Sequence, residues 1–82
     1  MKIEKKINIC VMGLGYIGLP TAIVAADNGI NVIGVDINPH VVETINKGQI
    51  HIIEPGLEEL CDRVIGQGNL KAQTEPAESD VS

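Results

Sequence analysis

Three glycines fall within six residues, Gly13-Leu14-Gly15-Tyr16-Ile17-Gly18, and no other feature of the chain restricts its fold as much. A short apolar run, Ile7-Asn8-Ile9-Cys10-Val11-Met12, leads directly into them. A stretch rich in Ala, Ile and Val follows, closed by Gly29. Glycine weakens helices and strands alike, so a cluster of it marks a backbone that must turn sharply or be approached closely. The apolar run, bounded by charge before and glycine after, reads as a strand buried on both faces, as in a parallel sheet. Strand, glycine turn and helix then follow in sequence, and the turn fits G-x-G-x-x-G. That pattern is weak by itself and gains its weight from this setting. Gly13 permits the tight turn, Gly15 leaves the backbone open to a pyrophosphate, and Gly18 lets the helix pack closely on the strand. The N–H groups of the first helical turn, those of Tyr16 and Ile17 among them, then face the phosphates with the helix dipole behind them.

The rest of the chain repeats the alternation. Strands are expected over 7–12, 31–35 and 69–74, and helices over 16–28, 39–47 and 56–66. Gly29 fits the position just past a helix, where φ is often positive. Asn38 caps the second helix and Pro39 suits its first position, while Lys47 complements the dipole in the last turn and Gly48 stops it. Pro55 opens the third helix. Its apolar positions, Leu57, Leu60, Cys61, Val64 and Ile65, match the helical template. Glu59 and Arg63 make an i,i+4 pair on its outer face, and Gly66 and Gly68 break it. Pro20 is the awkward residue. If the first helix begins at Tyr16, Pro20 withholds an N–H from the Tyr16 carbonyl and a kink results; propensity alone starts that helix at Pro20. Pro76 ends the third strand. The order implies right-handed crossovers and a parallel sheet. The expected fold is α/β, the first half of a doubly wound Rossmann sheet, with residues 1–82 as one half-domain and the strands in spatial order 3-2-1.

The totals narrow the function. Eighty-two residues make one small domain. A formal net charge of −5 argues against nucleic acid or a membrane surface as partner, since both need a basic face. No apolar run can span a bilayer. Glu75, Glu78 and Asp80 form a solvated acidic tail. Cys10 and Cys61 are too few for a disulfide framework, make no Cys-x-x-Cys pair, and read as buried residues of a reducing compartment, the cytoplasm. Tyr16 is the only aromatic residue; its ring is either core or a wall over the pyrophosphate.

Asp36 ends the second strand, 18 positions after Gly18. A carboxylate there accepts hydrogen bonds from the adenosine ribose hydroxyls and repels a 2′-phosphate, which selects NAD over NADP. The blander role for Asp36 is to help cap the following helix, a task Asn38 already fills. His40 is a surface residue of that helix. His51 and Glu54 share a long loop, and Cys10 and Cys61 read as core. No nucleophile, general base or metal site emerges, so no catalytic residue is assigned. The site residues are Gly13, Gly15, Tyr16, Ile17, Gly18 and Asp36, with NAD or an adenine nucleotide as ligand. A methyltransferase shares a glycine loop and an acidic second strand, though Gly18 favours a dinucleotide. A non-catalytic nucleotide-binding or self-association module also stays open.

Residues 13–22, Val32-Ile33-Gly34-Val35-Asp36-Ile37-Asn38, Thr44-Ile45-Asn46-Lys47-Gly48 and His51-Ile52-Ile53-Glu54-Pro55 together resemble the opening of the UDP-glucose/GDP-mannose dehydrogenase family, most of all its branch acting on UDP-N-acetyl-D-mannosamine. The resemblance runs from Ile7 to about Val81. The His51 to Pro55 block weighs against other NAD-dependent dehydrogenases, such as those of hydroxyacids or glycerol phosphate. The resemblance implies two NAD-dependent oxidations that convert the C6 alcohol of a UDP-sugar to the uronate. It also implies that the catalytic Cys, its partners and the UDP-sugar site lie far downstream of this stretch, so that these 82 residues are an amino-terminal fragment, inactive alone. The family's fourth strand is expected beside the first, near where this chain ends. Without it, the first strand is an unprotected edge through which two copies of the chain would pair.

Overall fold

The computed structural model describes residues 8–75. Ile7, Pro76, Glu78 and Asp80, to which the sequence assigned a strand start, a strand stop and an acidic tail, lie outside the described residues. The elements are β1 (Asn8–Met12), α1 (Gly18–Asp27), β2 (Asn31–Val35), α2 (Pro39–Asn46), α3 (Leu57–Gln67) and β3 (Leu70–Gln73). The strands form one sheet in the order β1-β2-β3, and both pairings are parallel. Val11 stands beside Gly34, and Gly34 beside Ala72. This is the expected three-stranded half of a Rossmann sheet.

Alternate residues of a strand face opposite sides. Val32, Leu70 and Ala72 therefore share a face, and they belong to the same buried cluster as Ile23 of α1, Ile45 of α2 and Val64 of α3. The helices thus cover one side of the sheet. Cys10 and Val35, on the other side, are buried outside that cluster. The expectation that the first strand is buried on both faces does not hold. Only Cys10 of β1 is fully buried and Met12 is 59% exposed. The cause is topology: among the described residues the helices cover one face only, and Met12 lies on the other, at the outer strand of the sheet.

Several boundaries also move. α1 begins at Gly18, so Pro20 lies in its first turn. The Leu19 and Thr21 N–H groups on either side of it bond the Gly15 and Ile17 carbonyls at 3.0 and 3.2 Å, and among the described residues the Tyr16 carbonyl between them has no backbone donor, as expected of the proline. Asn38 does cap α2, accepting the His40 N–H at 2.9 Å, and Gly48 does stop it with φ 79°. Lys47 is the C-cap rather than part of the last turn, and its Nζ reaches Glu43 at 3.1 Å. Pro55 does not open α3. Gly56, at φ 82°, turns the chain and Leu57 starts the helix. Gly66 lies inside α3, and Gly68 alone ends it with φ 80°. Arg63 does not pair with Glu59. Its guanidinium meets Asp27 at the end of α1, because α3 packs alongside α1 and brings that carboxylate within reach.

One contact was not foreseen. The Asn46 side chain donates to the Ala72 carbonyl at 2.8 Å and accepts the Ala72 N–H at 2.9 Å. The end of α2 thereby occupies the outer edge of β3 as a further strand would.

Candidate functional site

The turn between β1 and α1 and the residue after β2 meet at the carboxyl ends of the parallel strands, where open α/β sheets bind ligands. Gly13, with φ 87°, has the left-handed backbone that only glycine takes without strain, and its N–H donates to the Val35 carbonyl at 2.7 Å. The turn is thus tied to β2. Gly15 is exposed, and a Cβ there would meet nothing within 4 Å. The glycine keeps space clear rather than filling a tight fit. Gly18 is the reverse case. A Cβ would lie 1.8 Å from the Gly13 carbonyl oxygen and 3.6 Å from Val11 Cγ1. The close contact expected with the strand is chiefly with the turn's own backbone.

Among the described residues, none accepts from the N–H groups of Gly15, Tyr16, Ile17 or Gly18. Four donors at one helix start, next to open space, fit an anion. Tyr16 and Ile17 are 80% and 83% exposed, so the tyrosine ring is not core.

Asp36 joins two turns. Its Oδ2 accepts the Leu14 N–H at 3.0 Å and its Oδ1 accepts the Asn38 N–H at 3.0 Å. These bonds, Leu14's first and Asn38's second, hold the carboxyl below its ordinary value of 3.8 against a smaller opposing effect of burial, with the His51 charge a lesser aid. Helix capping and ligand binding are therefore not rival roles. An ionised carboxylate has about four lone-pair sites, and two of them remain for ribose hydroxyls. The residues present fit an adenine dinucleotide: an open glycine, unpartnered amides and a fixed anion beside them.

Sequence reasoning missed Leu14 and Gly34. Leu14 is 1% exposed, and a Cβ on Gly34 would fall 2.8 Å from Leu14 Cδ2. The signal was the glycine interrupting an otherwise β-branched strand, which often marks close approach. Of the remaining candidates only His51 comes near the site, where its charge acts on Asp36. Cys61 is fully buried, and burial, followed by the charges of Asp62 and Glu58, pushes its thiol up to about 11. Cys10 is buried too. His40, His51 and Glu54 are exposed. Among the described residues no cluster of His, Cys, Asp and Glu could hold a metal, and no helix is long and apolar enough to cross a membrane.

Residues 7–82 match the model of the UDP-glucose/GDP-mannose dehydrogenase family, NAD binding domain. Over 73 residues, 89% of this chain, the sequence is 60% identical to a UDP-N-acetyl-D-mannosamine dehydrogenase of Campylobacter jejuni. It is 58% identical over the same share to an NDP-N-acetyl-D-galactosaminuronic acid dehydrogenase of Ralstonia nicotianae. The chain spans 18% and 17% of those relatives' lengths. The solved structure of a UDP-N-acetyl-mannosamine dehydrogenase from Staphylococcus aureus superimposes with a TM-score of 0.86 at 46% identity, over 92% of this chain and 19% of that one.

Proposed function

The chain belongs to the UDP-glucose/GDP-mannose dehydrogenase family as its NAD-binding domain, and from that membership we propose a residue-level reading of how it binds NAD. Gly13 and Gly18 shape the turn, Gly15 leaves room for the pyrophosphate, and the amides of Tyr16, Ile17 and Gly18 donate to it. Asp36 accepts from the adenosine ribose and excludes a 2′-phosphate. The observation that carries this reading is the Asp36 carboxylate, fixed by two backbone amides beside a row of unpartnered N–H groups. NAD supplies the hydride acceptor for oxidising an alcohol. The alcohol we propose is the C6 hydroxyl of UDP-N-acetyl-D-mannosamine or a related UDP-sugar, after the names its relatives carry. That oxidation belongs to the whole protein of such a family member. The dinucleotide and the two free, buried cysteines suit the cytoplasm.

Titration with NAD, NADP, AMP and S-adenosylmethionine, followed by Tyr16 emission and by calorimetry, tests the reading. NAD is expected to bind about tenfold or more tighter than NADP, the equivalent of one charge-assisted contact. AMP should compete with NAD, and S-adenosylmethionine should not. Equal affinity for NAD and NADP would defeat the role given to Asp36. Among the described residues no strand pairs with the outer edge of β1, which supports a second reading, that two copies of the chain pair there.

A further inference from the structure

We propose that Leu14 is a positioning residue: lodged on the bare backbone of Gly34, it holds its own amide under the Asp36 carboxylate and so sets the spacing between ribose acceptor and phosphate loop. The proposal rests on the nucleotide-binding reading above.

Leu14 is the one loop residue between Gly13 and Gly18 that is buried, at 1% exposure, while its neighbours Gly15, Tyr16 and Ile17 face solvent. Its isobutyl group points into the sheet where β2 has no side chain. A Cβ on Gly34 would lie 2.8 Å from Cδ2, 3.0 Å from Cδ1 and 3.4 Å from Cγ. The absence of one carbon on β2 is what admits the leucine. Three anchors then fix the two successive residues Gly13 and Leu14. Gly13 N–H is tied to Val35 O, the Leu14 side chain to the face of Gly34, and Leu14 N–H to Asp36 Oδ2. All three partners lie within residues 34–36. The phosphate loop is thus referenced to the stretch of β2 that carries the ribose acceptor. A surface leucine would swing aside at little cost, but one packed in a dense core has nowhere to go, so the loop itself must lift.

Gly34→Ala should lift Leu14 and break its amide bond to Asp36. Gly34→Ala with Leu14→Val keeps the number of side-chain carbons and removes the colliding δ-methyls, so it should restore the seat. The readouts are the shift of the backbone amide proton at position 14 against pH, NAD and NADP affinity, and thermal melting, on the 82-residue chain. In the unmutated chain this amide should track a carboxyl that titrates below the ordinary range. In Gly34→Ala the carboxyl should return toward that range. NAD affinity should fall about tenfold, the scale of one overpacked methyl, NADP affinity should fall less, and the double variant should reverse all of this. Should Gly34→Ala not fold, Leu14→Ala empties the same seat and is expected to loosen the amide likewise. Equal losses of NAD and NADP with the Asp36 titration unmoved would make Leu14 mere packing and overturn the proposal. If neither nucleotide binds the unmutated chain but the amide shifts behave as described, the positioning stands and the nucleotide reading fails.

Discussion

Asp36 shows how one residue carries a duty that the sequence reveals and another that it conceals. An acid at the end of the second strand suggests ribose binding because of its distance from the glycines. Nothing in that distance says that each oxygen also accepts a backbone N–H, from Leu14 and from Asn38. Asp36→Asn should therefore destabilise the chain with no nucleotide present, by roughly 1–3 kcal/mol, because an asparagine must turn its NH2 toward one of the two N–H donors. The pH dependence has a definite sign. The folded carboxyl is held below its unfolded value of 3.8. Its contribution is then fully present above that value and is lost as pH falls through the lower, folded one. Melting temperatures between about pH 6 and pH 2 should fall more steeply for the unmutated chain than for Asp36→Asn. Parallel curves would count against the two amide bonds. Leu14 was hidden for a related reason. It occupies an unspecified position of the motif, and what specifies it is Gly34, distant in sequence and adjacent only once the sheet has formed.

At the level of elements, all six were legible: β1 and β2 as short apolar runs, α1 by its Ala, Ile and Val content, α2 and α3 by helical spacing and β3 by a weak alternation, with glycine at positive φ in the turns. The boundaries that moved did so where a local rule had two outcomes. Pro55 was compatible with a helix start, yet Gly56 takes the left-handed turn and Leu57 begins α3. Gly66 is tolerated inside α3, since a single glycine costs only about 1 kcal/mol against alanine and Cys61 and Val64 anchor the preceding turn. Arg63 illustrates a choice that spacing cannot make, because the competing carboxylate, Asp27, comes from another helix. Asn46 was wholly unread. As the last residue of α2 it looks like any polar helix end, but its amide matches both polar groups of Ala72. Asn46→Ala should destabilise by roughly 1–3 kcal/mol in urea unfolding, as two part-buried hydrogen bonds are lost together. It should also speed hydrogen exchange at the Ala72 amide. An unchanged exchange rate there would mean that solvent already competes for the edge.

For the molecule as a whole, the consequence is a sheet whose two edges differ. Asn46 occupies the β3 edge, and among the described residues no strand pairs with the outer edge of β1. Gly13 donates toward β2, and polar groups alternate sides along a strand, so Val11 also faces β2 while Cys10 and Met12 turn theirs outward. β1 has no charged side chain and no proline, the usual protections of an edge, and Met12 is 59% exposed. Two copies joined antiparallel about a two-fold axis would satisfy both edges at once and close the assembly. With Cys10 opposite Cys10 of the second copy, those two residues exchange both hydrogen bonds, and their Cα atoms come about 5.5 Å apart. Two three-stranded sheets then become one of six strands. Light scattering over a concentration series should show the mass rising to that of a dimer and stopping there. Met12→Lys places a charge on each copy at the seam, where the side chain is already half in water, and should return the chain to a monomer without lowering its melting temperature at low concentration. A monomer at every concentration would exclude the pairing. So would rapid hydrogen exchange at the Cys10 and Met12 amides under conditions where the mass is that of a dimer, for the contact would then lie elsewhere.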